Sequence, residues 1–406
     1  MILSDILRKF ICDHSEDDLS ELLLSASRYR DVDVKTAVGQ IRARSRIKEK
    51  LPLWYDDDRL FFPSVLAAEQ SSSELTALYK QRLIKDDDCL GDLTGGLGVD
   101  TYFFSKKAKS VIYVEKNEMY CDVARYNMDI LGAKGVNVIN ADATEVIANN
   151  DSRISGVNVF YIDPSRRGEG NKRMFAIDDC EPDLSLIWPL LCKKKCRVIV
   201  KLSPMLDITQ VLTQFSGICE VHVVSVKNDC KELLLVAGEM SPPEPDIICV
   251  NYTYGSEEQS FRFRLQDEQS AVVSAYGFEP PAPERYLYEP NSSILKAGAF
   301  KSIALHFGVR KLQSSSHLYT SDFLVTSFPG RIFKIKDILP FNSRLCKKLS
   351  LKIPRANITV RNFPLSVDEL RKRMRIKDGG DIYLFATTLS DSKKVIISCM
   401  KKITTL

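Results

Sequence analysis

The sequence is poor in the features that mark secreted, membrane-spanning and metal-dependent proteins. Its 11 cysteines include no Cys-x-x-Cys pair, and a chain of this length does not need disulfide staples to hold a core, so reduced core thiols are expected rather than a metal site. The 4 histidines, His14, His222, His306 and His317, lie far apart, which weakens both a metal-binding and a Ser-His reading. Residues 1–17 lack a basic start followed by an apolar core and a small-residue cleavage site, and no run of about 18 apolar residues occurs. A soluble, cytoplasmic protein is the expectation. Internal repeats and low-complexity tracts are also missing, and strand-like alternation is scarce in the first 85 residues.

What is present points to several domains. With 406 residues, 44% of them hydrophobic, the chain can bury at least two cores, and two to four domains is the working range. The net charge of +4 hides an asymmetry: residues 326–406 hold 11 Lys and 7 Arg against 6 acids, 18 − 6 = +12, leaving 4 − 12 = −8 for the remainder. A basic end on an otherwise acidic chain suits a polyanion, because lysine and arginine neutralise phosphates and release counterions. An idle basic surface is the alternative.

Helical spacing predicts helices over 5–14, 18–29, 34–51 and about 72–83, the last begun by a Ser-x-x-Glu capping box at Ser71 and Glu74. From 88 to 239 short β-branched runs alternate with amphipathic helices, the mark of a parallel sheet with helices on both faces. Strands are expected at 111–114, 136–139, 157–162 and 197–200, after a first that ends at Leu93, with helices at 99–109, 118–131, 144–149, 182–192 and 208–215. Then 220–226 and 232–237 are joined by 227–231, too short for a crossover helix, so a hairpin is predicted. Beyond a Pro-rich linker at 241–245 come strands at 247–254 and 261–265, a helix at about 292–307, and an alternation of strand and helix from 332 to 399.

Asp92-Leu93-Thr94-Gly95-Gly96-Leu97-Gly98 joins the first strand to the first helix. Glycine lets backbone turn tightly and approach a ligand, and a helix starting there offers unpaired N–H groups, so a nucleotide-like cofactor fits. A Gly-x-Gly-x-x-Gly dinucleotide pattern is not met, because Thr101 stands three residues after Gly98. Glu115, followed by Lys116, closes the second strand 19 residues after Gly96, where a carboxylate can bind both ribose hydroxyls. Asp142-Ala143 closes the third strand. Each acid alone reads as a strand-end cap, but together they mark a cofactor site beyond the carboxyl ends of an open sheet. Asp163-Pro164-Ser165-Arg166-Arg167 ends the fourth strand and Lys201 the fifth. Arg166 and Arg167 can hold phosphate or line a solvated turn; Lys201 can face substrate or snorkel to water.

Five parallel strands followed by a hairpin, with these motifs, resemble the class I S-adenosylmethionine-dependent methyltransferases. The resemblance implies an α/β fold with a Rossmann-like seven-stranded sheet, parallel but for an antiparallel last strand. It implies S-adenosyl-L-methionine as cofactor, held by Asp92, Thr94, Gly95, Gly96, Gly98, Glu115, Lys116, Asp142 and Ala143, with the glycines admitting its amino-acid half and Asp142 near the adenine. Asp163-Pro164-Ser165 resembles the Asp-Pro-Pro-aromatic motif of amine methyltransferases, including those acting on the exocyclic nitrogen of guanine in RNA. Asp163, Pro164 and Ser165 are then catalytic, the acid and the following carbonyl accepting hydrogen bonds from the amino group. The match departs at Ser165 and Arg166, which leaves Phe175 and Trp188 as candidates to stack on the base.

The basic helix 368–377, with Arg361 to Pro364 and Phe328 to Arg331, resembles the THUMP-like domain attached to bacterial methyltransferases, and the stretch from Tyr286 to Phe300 its small ferredoxin-like module. The implied domains are a helical one (1–85), a methyltransferase domain (86–240), linker strands with a ferredoxin-like module (246–325) and a basic THUMP-like domain (326–406). The function implied is methylation of an exocyclic amine in tRNA or rRNA, with Arg166, Arg167, Lys201, Arg371, Arg373 and Arg375 on the RNA and no metal. An RNA-binding scaffold that has lost catalysis, and a small-molecule or protein methyltransferase, are the alternatives.

Overall fold

The computed structural model describes residues 3–166, 180–238, 242–255, 257–271 and 283–401. The chain divides into two compact units, Met1–Glu220 with Glu232–Pro243, and Val221–Lys231 with Glu244–Leu406.

The first unit opens with helices α1 (Asp5–Asp13), α2 (Leu19–Leu24), α3 (Val34–Ile47), α4 (Pro52–Tyr55), α5 (Val65–Gln70) and α6 (Glu74–Gln81). Short polar side chains start most of them: Ser4, Asp18, Asp33, Ser64 and Ser73 each accept a backbone N–H from the first turn. The cap of α6 is Ser73, not Ser71. Helix α5, which the sequence pattern did not separate, uses Ser71, whose hydroxyl donates to the Ala68 carbonyl at 2.9 Å. Ser72 is thereby left to turn inward. Ala43, Ile47, Leu51 and Trp54 pack in one core with Leu97, Tyr102, Phe103 and Met128, and Asn127 exchanges two hydrogen bonds with the Phe61 backbone, at 3.0 and 2.8 Å.

Next come β1 (Cys89–Asp92), α7 (Val99–Ser105), β2 (Ser110–Glu115), α8 (Glu118–Ile130), β3 (Val136–Asn140), α9 (Ala143–Ala148), β4 (Val159–Ile162), the short β5 (Ser165–Arg166) and β6 (Cys180–Glu181), α10 (Leu184–Lys193), β7 (Arg197–Leu202), α11 (Ile208–Gln214), β8 (Ile218–Val226) and β9 (Asp229–Ala237). The strands run in the order β3-β2-β1-β4-β7-β9-β8. Pairings from β3 to β7 are parallel, and β9 meets β7 antiparallel. The seven strands expected are present in the expected order, the hairpin residues Val221–Lys231 counting with the second unit, and Asp246–Tyr252 and Glu258–Phe263 extend the sheet past β8 to nine strands. β1 reads as a buried strand because Leu90 packs with Val111, Val159, Tyr161, Ile199 and Phe104 in a core from which water is excluded. The hairpin turns on Lys227 and Asn228 alone, with φ of 53° and 63°, the left-handed pair that a two-residue turn needs and that asparagine tolerates well. The five-residue link expected is therefore shorter, and β9 resumes at Asp229.

The second unit adds β10 (Asp246–Tyr252), β11 (Glu258–Phe263), α12 (Leu265–Ser270), β12 (Tyr286–Pro290), α13 (Ser292–Ala297), α14 (Ser302–Phe307), β13 (Arg310–Lys311), β14 (Tyr319–Ser321), β15 (Gly330–Pro340), α15 (Ser343–Lys352), β16 (Asn357–Arg361), α16 (Val367–Met374), β17 (Ile382–Thr388) and β18 (Lys394–Lys401). A seven-stranded sheet runs β13-β14-β12-β15-β18-β17-β16. Leu345, Leu349, Leu370 and Met374 of α15 and α16 pack with Ile358, Leu384 and Ile396 of this sheet. The helix expected over 292–307 is two, because Gly298 takes φ 77° and ends α13. Glu268 of α12 then accepts the N–H groups of Phe300, Lys301 and Ser302 that start α14. Likewise α16 stops at Met374, three residues before the expected end, where Arg375 turns left-handed with φ 52°.

Candidate functional site

In a parallel sheet the carboxyl ends of all strands share one rim, and hydrogen bonds tie four of them together here. Asp163 N–H donates to Thr94 Oγ1 at 2.7 Å, joining the ends of β4 and β1. Gly96 N–H donates to Glu115 Oε2 at 3.1 Å, joining β1 to β2. Ala141 N–H donates to the Glu115 carbonyl at 3.1 Å, which brings the β3 end alongside. Asp142 follows at once and caps α9, its Oδ1 accepting from Thr144 and Glu145 at 2.8 and 3.2 Å, with Ala143 buried behind it.

The three glycines of the loop do different work. A Cβ on Gly95 would lie 2.1 Å from the Tyr113 ring, and one on Gly98 would lie 2.7 Å from Met128 Cε. The protein's own packing accounts for these two. Gly96 has φ 54°, and a Cβ there would meet only the Thr94 carbonyl oxygen, at 3.8 Å. Its open side is where a ligand can approach. Tyr113, which the sequence reading did not single out, shapes the loop twice, packing under Gly95 and donating its hydroxyl to the Gly96 carbonyl at 2.6 Å.

Beneath the rim the structure buries charge. Asp92 is 1% exposed and accepts from the Thr101 hydroxyl at 2.5 Å and from Thr94 N–H at 3.1 Å. Burial pushes its carboxyl up to about 7 despite those donors. Lys80, from α6, is fully buried, its ammonium 3.0 Å from Glu232 and 3.2 Å from Asp100 Oδ1. That Asp100 oxygen is close to the ammonium but has no aligned hydrogen bond. Oδ2 accepts from the hydroxyls of Ser72 and Tyr161, each at 2.8 Å. Burial works against the Asp100 charge, yet Lys80, Lys201 and the two hydroxyls outweigh it and hold the acid below its ordinary value. At Glu232 burial wins and moves the acid up. Lys201, on β7, pairs with Asp163 Oδ2. Burial opposes this ammonium too, but Asp163, Glu232 and Asp100 raise it above the ordinary lysine value.

The remaining expected residues fall as follows. Lys116 pairs with Glu181, not with the space above Gly96. Pro164 is half-buried, and Ser165 sits in the β5–β6 ribbon, opposite Glu181, to whose carbonyl its hydroxyl donates at 3.4 Å. Arg166 pairs with Cys180 in that ribbon; Arg167 and Phe175 lie outside the described residues. Trp188 is 5% exposed and packs on Phe215 at 4.8 Å, so it is core and not a stacking face for a base. On α16, Arg371 is half-buried and paired with Asp378, while Arg373 and Arg375 are exposed. Among the described residues no group of three or more His, Cys, Asp or Glu side chains could hold a metal, and no helix is long and apolar enough to cross a membrane.

Comparison with known proteins adds the wider frame. Residues 330–401 match the model of the THUMP domain-like family, and residues 286–329 that of a ferredoxin-like domain. The two ranges join in one sheet, through the antiparallel pairing of β12 with β15. No curated protein matches the chain. Among solved structures, a "putative methyltransferase" from Porphyromonas gingivalis W83 is 34% identical, with a TM-score of 0.87, over 99% of this chain and 100% of that one. An rRNA methylase from Streptococcus thermophilus (14% identity, TM-score 0.29, 41% of this chain and 94% of that one) and a Streptococcus mutans protein in complex with SAH (16%, 0.30, 41% and 97%) also match, at scores too low to bear on substrate or cofactor. The full-length likeness decides the matter: the chain belongs to the family of the Porphyromonas gingivalis protein, in which a methyltransferase fold is followed by ferredoxin-like and THUMP-like domains.

Proposed function

We propose that the chain is an S-adenosylmethionine-dependent methyltransferase acting on an exocyclic amine of a base in tRNA or rRNA. The observation that carries this reading is the stitching of strand ends, Thr94 to Asp163 at 2.7 Å and Gly96 to Glu115 at 3.1 Å. It sets the open side of Gly96, the Glu115 carboxylate and the Asp-Pro motif on one rim. The residues present suit the cofactor: Gly96 leaves room for close backbone approach, Glu115 retains acceptor capacity beyond its two backbone donors, and Asp142 stands at the next strand end. S-adenosylmethionine, when bound, supplies an electrophilic methyl group that the amine nitrogen takes as the carbon–sulfur bond returns its electron pair to sulfur.

The chain's own residues then have two tasks. Asp163 and the Pro164 carbonyl accept hydrogen bonds from the amine, which fixes the direction of its lone pair; for such a transfer, in-line placement supplies most of the acceleration. The proton shed by nitrogen leaves by way of the Asp163 carboxylate, whose side chain is 32% exposed, to water. RNA as the substrate is supported by the THUMP-like match over 330–401 and by the exposed Arg373 and Arg375, since a basic module of this kind docks RNA by shape and phosphate.

The test is calorimetry with S-adenosylmethionine, followed by methyl incorporation into deproteinised RNA from a strain lacking the protein. Wild type is expected to bind the cofactor and label the RNA, and Asp163→Ala to cut labelling by about 100-fold or more. A wild-type protein that binds no cofactor overturns the reading. Mass spectrometry of the labelled nucleosides identifies the base.

A further inference from the structure

We propose that Lys201 is the positioning residue of Asp163: its ammonium, braced by a buried group of charges, holds that carboxylate in place with Oδ1 presented to a neutral amine, and does not itself touch the substrate. The inference rests on the reading of Asp163 as the amine's acceptor.

Three observations support it. The Lys201 ammonium bonds Asp163 Oδ2, leaving Oδ1 as the acceptor that can face outward. Asp163 is otherwise held by its backbone, through the 2.7 Å bond to Thr94, so the two side-chain torsions of the carboxylate stay open and the bond to Lys201 restrains them. Lys201 is also the more enclosed partner, 16% exposed against 32% for Asp163. A lysine reaching for an RNA phosphate would show the opposite order, with its ammonium outermost and unpaired.

The charges around the pair explain why the cation is needed. Facing it are Asp92 at the end of β1, Tyr161 on β4, Asp100 on α7, Glu232 on β9 and Lys80 on α6. Lys80 is fully buried and is shared between Glu232 and Asp100 at 3.0 and 3.2 Å, so it has no capacity left for a third acid. Asp163, Asp100 and Glu232 are thus balanced by two ammoniums. Without Lys201, Lys80 would stand alone against all three, in a setting where carboxylates lose hydration. Repelled by the buried acids, the Asp163 carboxylate would swing out to water, and Oδ1 would leave its place at the rim. The same pairing selects the substrate. A carboxylate already neutralised by an ammonium gives little attraction to a second cation, which favours the uncharged amine of a nucleobase over the ammonium of a protein lysine.

Two readouts on the full-length protein test this. The first needs no activity: crystal structures of Lys201→Met, Lys201→Gln and Lys201→Arg are compared with wild type. Asp163 Oδ1 is expected to leave its wild-type place in the Met and Gln variants and to keep it in the Arg variant; Oδ1 unmoved in Met and Gln overturns the proposal. The second is methyl transfer to the deproteinised RNA, where Lys201→Met and Lys201→Gln are expected to lose about 10-fold or more in kcat with cofactor affinity unchanged, and Lys201→Arg to stay near wild type. Undiminished kcat in Met and Gln overturns the proposal, and equal loss in Arg or lost cofactor affinity overturns it in favour of a packing role. If wild type labels no RNA, the proposed function fails while the place of Oδ1 still decides the role of Lys201.

Discussion

In the first unit the charged side chains at and beneath the rim are inside, each fixed by a partner: Lys80 between Glu232 and Asp100, Lys201 on Asp163, Asp92 under two donors. In the second unit the basic residues of and just after α16 are outside, where Lys372, Arg373, Arg375 and Lys377 are exposed and Arg371 alone on that stretch is half-buried with its acid. The two arrangements suit different tasks. A buried, paired charge acts at one distance and is hardly screened, so it can set geometry and protonation. An exposed cationic surface acts over about a Debye length, roughly 8 Å at physiological salt, and suits a phosphate backbone whose position varies.

Substitutions should expose that contrast, beginning with the largest effect. Lys80→Met strands two buried carboxylates and is expected to cost about 3–5 kcal/mol, seen as a lower thermal midpoint for the first unit; an unchanged midpoint would mean that the buried charges are not coupled. Gly96→Arg combines a left-handed backbone with a side chain in the open approach, and should weaken S-adenosylmethionine binding by about 100-fold, about 2.7 kcal/mol, in calorimetry. Asp92 gives a pH signature. Because burial raises its folded value from 3.8 to about 7, folding takes up a proton between those limits, so stability is greatest below the window and declines as pH rises through it. Asp92→Asn should remove roughly 2 kcal/mol of that decline between pH 5 and 7, measured as a flatter plot of denaturation midpoint against pH. The smallest effect belongs to the exposed set: Arg373→Ala with Arg375→Ala should leave the thermal midpoint alone, reduce RNA affinity about 10-fold, and lower the slope of log affinity against log salt by about 1.5. Salt-independent loss would place these arginines away from phosphate.

The sequence made the rim legible because strand ends in a parallel sheet all face one way. Reading where β1, β2, β3 and β4 stop was enough to put Asp92, Glu115, Asp142 and Asp163 on a common edge. What it hid were relations that no local spacing records. Nothing in the sequence singles out Lys80, whose partner Glu232 is 152 residues away. Gly95 and Gly98 look like ligand glycines, but Tyr113 and Met128 already require them. Ser71 offered a better capping box than Ser73 until α5 claimed it. Gly298 and Arg375 ended helices that periodicity alone would have continued, since a left-handed residue interrupts backbone pairing whatever the side-chain pattern says.

The pairing of β12 with β15 carries a practical lesson. It spans Tyr286↔Lys334 to Pro290↔Gly330, so a cut between the ferredoxin-like and THUMP-like ranges would strip β15 of one of its two neighbours, the other being β18, and leave the backbone groups of Gly330 to Lys334 open to self-association. Chimeras and truncations should therefore carry residues 286–401 as one piece, and lineages that shuffle this tail among enzymes should inherit both motifs together or neither.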